Sequence, residues 1–251
     1  MIIVGVKIGG GMIMMVDIGS LKNQIKYIIY NIMVKVLELF SGTGSVSKVC
    51  KELEWEVISV DFLCKWKPDI VADILEWDYK VYPPDTFDIV WGSPPCAEYS
   101  AVKNSWIGRE LIDGKTGERY IYTREIQEEK MKESDKLVKK VFEIIDYFKP
   151  KYWYVENPNT GRLKWREFME DKPYYIVDYC KYCDWGYRKR TRIWTNKKDF
   201  EPKMCKWDCC NLIEGKKKHK ADVSTSFSSP ELRYRIPPQL IRDLFCFDKV
   251  I

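Results

Sequence analysis

The chain has 251 residues, 45% hydrophobic and 31% charged, which is enough apolar material for a full core in an ordinary water-facing protein. Its single histidine, His219, lies in a lysine run; this excludes a histidine metal cage and an H-E-x-x-H protease and argues against a Ser-His-Asp triad. The net charge of +5 is uneven, because residues 181–220 hold thirteen Lys and Arg against five Asp and Glu, a surplus expected of a polyanion binder.

Residues 1–32 open on MIIVGVKIGGGMIMMVDIG, an apolar stretch interrupted by Lys7 and Asp17. It fits neither a membrane-spanning helix nor a secretory leader and reads as a dispensable N-terminal extension. Val34–Phe40 is a buried strand, followed by a Gly-rich turn and a helix over about Ser45–Leu53. EVISVD is a second strand closing at Asp61, DIVADI a weak short one, and Phe87–Gly92 a third clear strand. A polar loop spans Ser93 to about Thr123. A long helix then runs from about Glu125 to Phe148, with Leu137, Val141, Ile144 or Ile145, and Phe148 on one face, and stops at Pro150. YWYVEN is a strand, GRLKWREFM a short helix, and YYIVDYC with KRTRIWTN a closing pair of strands. Periodicity disappears from Lys197 to about Ser229, and RYRIPPQLIRDLF resumes a helix with its Pro pair in the first turn. Strand–helix alternation of this kind predicts an α/β fold with a mostly parallel, doubly wound sheet that binds ligands at the carboxyl ends of its strands.

Four strand ends carry chemistry. In Phe40-Ser41-Gly42-Thr43-Gly44, glycines after a strand admit close backbone approach to a ligand at a helix N-terminus, and Asp61, about twenty residues on, can accept from ribose hydroxyls. The missing third glycine and the absence of a P-loop disfavour a dinucleotide or a triphosphate. In Gly92-Ser93-Pro94-Pro95-Cys96, two prolines stiffen a turn that presents Cys96 where catalytic groups of open α/β sheets sit. Buried small-hydrophobe roles suffice for Cys50, Cys64 and Cys246. Val155-Glu156-Asn157-Pro158 brings a carboxylate to a fourth strand end. Arg188, Arg190 and Arg192 alternate along the last strand and present three guanidinium groups to one side, suited to phosphate or carboxylate.

FSGTG, Asp61, GSPPC, VEN and the RxRxR row, in this order, resemble the motif series of DNA (cytosine-5) methyltransferases. SPPCAEYS, ENPNTGRLKWREFM, YRKRTRIWTN and RYRIPPQL are similar to the short members found in phages and large DNA viruses. The resemblance covers about Val34 to Phe245. It implies a Rossmann-like S-adenosylmethionine-dependent methyltransferase fold with a small target-recognition insert: a catalytic domain over 33–196, a reduced recognition segment over 197–230, and a C-terminal helix over 231–251 returning to the catalytic domain. Phe40, Ser41, Gly42, Gly44 and Pro94 would line the S-adenosylmethionine site, with Asp61 on the ribose, Phe62 against the adenine, and Asp73 and Ile74 at the adenine edge. Cys96 would be the nucleophile, Glu156 the acid that engages the base, and Arg190 a substrate-orienting cation. Ser100, Asn157, Arg188 and Arg192 would contact the substrate side, Asn157 in a structural role. The implied partner is DNA, double-stranded, acted on by a monomer.

The chemistry independently needs these residue types. Carbon 5 of cytosine is too poor a nucleophile for a sulfonium methyl until a thiolate adds to carbon 6, and an acid at ring nitrogen 3 stabilises that addition. Positive charge favours the thiolate, and the Arg row and a cationic cofactor can supply it. The base must leave the duplex, which makes the 93–123 loop, with Lys103, Arg109, Lys115 and Arg119, a candidate lid. The pattern departs from the family at Ala97, Arg188 and Pro158, and in lacking a final Gly-Asn pair.

An exocyclic-amine methyltransferase would place an aromatic residue where Cys96 stands. An RNA cytosine methyltransferase would need a Thr-Cys pair that does not occur. A catalytically silent nucleic-acid-binding protein would have no use for the Cys96–Glu156–Arg190 set. Nine cysteines, five of them between Cys180 and Cys210, fit no secreted disulfide scaffold and point to a reducing, intracellular compartment without a membrane partner. Cys205, Cys209, Cys210 and His219, with Cys180 and Cys183 upstream, have zinc-like spacing. Because the closing strands already account for Cys180 and Cys183, the expectation is no metal.

Overall fold

The computed structural model describes residues 3–8, 12–17, 34–222 and 229–246. Of the expected extension, strands β1 (Ile3–Ile8) and β2 (Met12–Asp17) pair antiparallel; its remaining residues, and residues 223–228 of the expected recognition segment, lie outside the described residues. No helix among the described residues is long and apolar enough to cross a membrane.

The body is a seven-stranded sheet built from β3 (Lys35–Leu39), β4 (Glu56–Asp61), β5 (Ile70–Val71), β6 (Ile89–Gly92), β9 (Tyr152–Pro158), β10 (Tyr174–Asp178) and β11 (Arg190–Thr195). Its spatial order is β10-β11-β9-β6-β3-β4-β5. The chain starts in the middle at β3, winds outward to β4 and β5, then crosses to β6 and β9. All five of these strands are parallel, and only β11, wedged between β9 and β10, is reversed. The direction of winding changes between β3 and β6, which opens a crevice at their carboxyl ends.

Each central strand is apolar on both faces because helices cover both sides. Val36, Ile89, Trp91, Tyr154 and Ile193 share one core with helices α1 (Ser45–Glu52) and α4 (Pro238–Phe245), the latter preceded by the short α3 (Pro230–Tyr234). Their chain neighbours Leu37, Val90, Val155 and Trp194 share the other with α2 (Arg124–Phe148). Period-two alternation thus feeds two cores. On the first face Trp91 stacks on Tyr154 with ring centroids 5.3 Å apart, and the Tyr154 hydroxyl donates to the Leu244 carbonyl at 2.9 Å, which seats α4.

Helix α2 begins where Thr123 Oγ1 accepts from the Ile126 amide at 3.3 Å, and it ends at Lys149 in a left-handed conformation before Pro150. Its buried stripe includes Met131, Val138, Val141 and Phe148. Leu137, expected in that stripe, is half-buried, packs against the same core and also lines the crevice.

Two further expectations are corrected. The 93–123 segment, expected as a polar loop, holds a 3-10 turn over Ala101–Trp106 and a hairpin of β7 (Glu110–Ile112) and β8 (Arg119–Ile121). GRLKWREFM is not one helix but two 3-10 turns, Arg162–Trp165 and Glu167–Met169, separated by Arg166 in an extended conformation. Tertiary anchoring overrides helical propensity there, because the Arg166 guanidinium is held by Asp135 at 2.6 Å and Glu128 at 2.6 Å.

Candidate active site

A cavity of about 480 Å³ occupies the crevice, within the usual range for small-molecule sites. Its first wall follows β3. Phe40 leaves the strand with φ 56°, a left-handed conformation rarely adopted by a residue with a side chain, which turns the backbone sharply into Ser41–Gly44. Gly42 and Gly44 also have positive φ, at 46° and 65°. The turn closes by the Gly44 amide donating to the Ser41 carbonyl at 2.8 Å, and helix α1 follows at once.

Glu38, which sequence reasoning passed over, governs this corner. It is 3% exposed, and its carboxylate accepts from the amides of Val46 at 3.1 Å and Ser47 at 2.9 Å, and from the Ser47 hydroxyl. Those amides are among the unpaired donors at the start of α1, so Glu38 caps the helix from a neighbouring strand. Burial nevertheless raises its pKa to about 7. A glutamate inside an otherwise apolar central strand was the available signal.

The second wall is the end of β4. Asp61 Oδ2 accepts from the Gly42 amide at 2.9 Å and Oδ1 from the Leu63 amide at 2.8 Å, so one carboxylate ties both walls together and keeps lone pairs toward the cavity. Phe62 also lines the cavity and is 65% exposed, an apolar face open to a planar ligand. Asp73 and Ile74, following β5, complete this side, while Ser41 and Pro94 reach it from neighbouring strand ends. Of the expected cofactor residues, only Gly44 is not part of the lining; it acts as the N-cap residue of α1.

The third wall carries Cys96 and Glu156, both on the same cavity. The loop after β6 is anchored by the Ser93 amide donating to the Leu39 carbonyl at 3.1 Å and by Trp91 Nε1 donating to Ser93 Oγ at 2.9 Å. Asn157 Nδ2 donates to the Pro94 carbonyl at 3.0 Å, locking this loop to β9. Beyond Cys96, the buried Tyr99 donates to Asp135 Oδ1 at 2.9 Å, and its carbonyl accepts from the Arg162 amide at 2.7 Å. The loop is thereby held on both sides, by α2 and by the segment after β9.

Glu156 is 6% exposed; its Oε1 accepts from the Tyr179 hydroxyl at 3.0 Å and lies 3.6 Å from the Lys189 ammonium. Lys189 lines the cavity, a role that sequence reasoning gave to the arginine row. Burial pushes the Cys96 thiol above its ordinary value; Lys189 and Arg233 pull it down, and Glu156 pushes it up.

The three arginines are placed elsewhere. Arg188 and Arg190 converge on the fully buried Asp178, each at 3.0 Å. Arg192 Nε donates to Asn159 Oδ1 at 3.1 Å, and its guanidinium lies 3.8 Å from the Tyr174 ring centre. None of the three lines the cavity. Cross-strand register gives the reason: Glu156 faces Ile193, whereas Asn157 faces Arg192, so Glu156 and Arg192 project from opposite faces of the sheet. Ser100 also stays outside the cavity, where its carbonyl accepts from the Lys103 amide at 3.1 Å to open the 3-10 turn. Lys103, expected on an open lid, is 9% exposed and pairs with Glu98, and Arg119 pairs with Glu110 at 3.0 Å.

The cysteine grouping is also corrected. Cys210 is exposed and stands apart, while Cys180, Cys205, Cys209 and His219 bring four donor atoms within 4.8 Å of one another, away from the cavity.

A doubly wound sheet with its cavity at the switch point, a glycine turn tied to a strand-end aspartate, and Cys96 and Glu156 on adjoining strand ends together define a Rossmann-like S-adenosylmethionine-dependent methyltransferase fold. A Frog virus 3 (isolate Goorha) protein named "Probable DNA (cytosine-5)-methyltransferase" is 40% identical over 223 residues, spanning 84% of this chain and 98% of the viral protein. The chain belongs to the DNA (cytosine-5)-methyltransferase family. No protein-family model matches it. Solved structures that it matches include a methyltransferase of Entamoeba histolytica, at 16% identity and TM-score 0.44 over 69% of this chain and 57% of that one. Another, named "putative DNA modification methyltransferase encoded within prophage Cp" (E. coli), matches at 14% identity and TM-score 0.41 over 68% of this chain and 51% of that one. The chain spans little more than half the length of these two structures.

Proposed function

We propose that this protein transfers the methyl group of S-adenosylmethionine to carbon 5 of a cytosine extruded from double-stranded DNA, through a covalent adduct with Cys96. The observation that carries this reading is the meeting of Cys96 and Glu156 on one cavity with the glycine turn and Asp61.

The donor set fits S-adenosylmethionine: carboxylates of Asp61 and Asp73 suit hydroxyl and amino groups, and the open face of Phe62 suits a purine. Bound there, S-adenosylmethionine supplies an electrophilic methyl group on a sulfonium. The Cys96 thiolate adds to carbon 6 of the base, and the electron pair of the 5,6 double bond moves toward carbon 5. Glu156, taking up a proton from solvent as the base seats, donates it or a hydrogen bond to ring nitrogen 3, offsetting the charge that the addition delivers to the ring. Lys189 holds Glu156 in place and favours the thiolate. Carbon 5 would then take the methyl group, with S-adenosylhomocysteine released as the neutral thioether; loss of the carbon 5 proton to solvent and departure of the Cys96 thiolate would restore the ring. A thiol nucleophile of this kind works in a reducing, intracellular compartment.

Extruding the base costs about a few kcal/mol, offset by contacts that the exposed lysines of residues 198–220 make with phosphates. The protein acts as a monomer, and residues 197–230 form a reduced recognition segment.

The test is product analysis. Wild type and Cys96→Ser are incubated with methyl-labelled S-adenosylmethionine and mixed-sequence duplex DNA, which is then digested to nucleosides. Label in 5-methylcytosine with wild type, and none with the variant, is expected. Label in a methylated exocyclic amine would overturn the mechanism, and cofactor binding without transfer to any nucleic acid would overturn the activity.

A further inference from the structure

We propose that Cys180, Cys205, Cys209 and His219 bind one zinc ion in a closed tetrahedral site that fastens the segment after β11 to the end of β10. The donors come from three separate stretches of chain. Cys180 sits in the 3-10 turn Tyr179–Lys181 that follows β10. Cys205 and Cys209 lie in the segment after β11. His219 is returned to them by a hairpin in which the Lys220 amide donates to the Asn211 carbonyl at 2.9 Å and Leu212 bridges His219.

The distances are those of a tetrahedron. With Zn–S about 2.3 Å and Zn–N about 2.05 Å, tetrahedral edges are about 3.8 Å between sulfurs and about 3.5 Å between sulfur and nitrogen. Cys205 Sγ and Cys209 Sγ are 3.7 Å apart, and His219 Nε2 is 3.7 Å from the first and 3.4 Å from the second. Cys180 Sγ lies within 4.8 Å of these three atoms and supplies the fourth donor. A sulfur separation of 3.7 Å is far beyond the disulfide bond length of about 2.05 Å.

Three thiolates and a neutral imidazole around a divalent ion leave one negative charge. Asp178, fully buried beside the cluster, adds another while accepting from the Cys205 amide at 2.9 Å. Arg188 and Arg190, both bound to Asp178, supply two positive charges that balance the assembly. The arginine row that does not line the cavity thus has a place in the structure.

The segment also needs such a fastening. From residue 197 to 222 it has no helix or strand, only the Leu212–His219 bridge. Its remaining ties include the buried Asn211, which donates to the carbonyls of Cys180 at 2.9 Å and Cys183 at 2.7 Å. A metal supplies folding energy where an apolar core is missing.

The test uses tag-free, full-length protein produced in zinc-supplemented medium, with metal content read by mass spectrometry. One zinc per chain is expected in wild type and in Cys210→Ser and Cys183→Ser, falling at least tenfold in Cys209→Ser. Because Cys209→Ser can fail to fold, His219→Cys provides a second readout: it keeps the metal, and after cobalt substitution its thiolate-to-cobalt charge-transfer absorption rises above that of wild type. Folded wild type that contains no zinc and takes up none on titration would overturn the proposal. So would loss of zinc in Cys210→Ser equal to that in Cys209→Ser.

Discussion

Glu156 and Lys189 act on the Cys96 thiol with opposite signs, so neutralising either one makes opposite demands on the site. The two groups are 3.6 Å apart with side chains only 8% and 13% exposed. At an effective dielectric constant of about 20, opposite charges at that spacing attract by about 4–5 kcal/mol, and desolvation offsets part of it. Removing the Glu156 carboxylate in Glu156→Gln therefore leaves the Lys189 charge unopposed beside the thiol. The thiol pKa falls, since a negative neighbour that disfavoured the thiolate is gone. Lys189→Met does the reverse. Methyl transfer, by contrast, drops in Glu156→Gln by about 10²–10⁴-fold, the usual worth of a positioned acid. The assay pairs single-turnover methyl transfer with iodoacetamide labelling of the Cys96 peptide across a pH series. Glu156→Gln should label faster than wild type at neutral pH while methylating far more slowly, and Lys189→Met should label more slowly. Equal or same-direction shifts in the two variants would refute the arrangement, and so would near-normal methyl transfer by Glu156→Gln.

Three other outcomes follow from single contacts. Asp178→Asn leaves Arg188 and Arg190 without their buried counter-charge and should lower stability to urea by about 3–5 kcal/mol. Glu38 has a folded pKa raised from 4.5 to about 7, so its contribution is fully present below 4.5 and is lost as pH rises through 7. That loss is about 3 kcal/mol, and a plot of Tm against pH should flatten over this window in Glu38→Gln. Gly92→Ala would set a Cβ 2.8 Å from Val141 Cγ1. It should cost about 1–3 kcal/mol in urea unfolding, and Val141→Ala in the same chain should recover part of that loss.

Much of the fold was legible because local patterning carries it. Apolar runs such as VKVLELF can be satisfied only by strands covered on both faces, and the stripe through Val141 and Phe148 only by a helix lying on them. The strand ends were legible for the same reason: a doubly wound sheet gathers its carboxyl ends at one crevice, so the motif order alone brings Cys96 and Glu156 together. GRLKWREFM shows the limit, since its helical spacing gave way to the pull of Asp135 and Glu128 on Arg166.

What tertiary structure alone decided concerns which of two sequence-equivalent choices faces which neighbour. Alternation put Arg188, Arg190 and Arg192 on one side of a strand, but only the pairing of Asn157 with Arg192 determined that this side turns away from Glu156, leaving Lys189 to the cavity. Spacing grouped Cys210 with its neighbours, whereas the fold chose Cys180, a residue twenty-five positions before Cys205, because β10 ends beside it. Period and composition are properties of a short window of chain; register and the meeting of distant loops are set by how whole faces pack, and no window contains them.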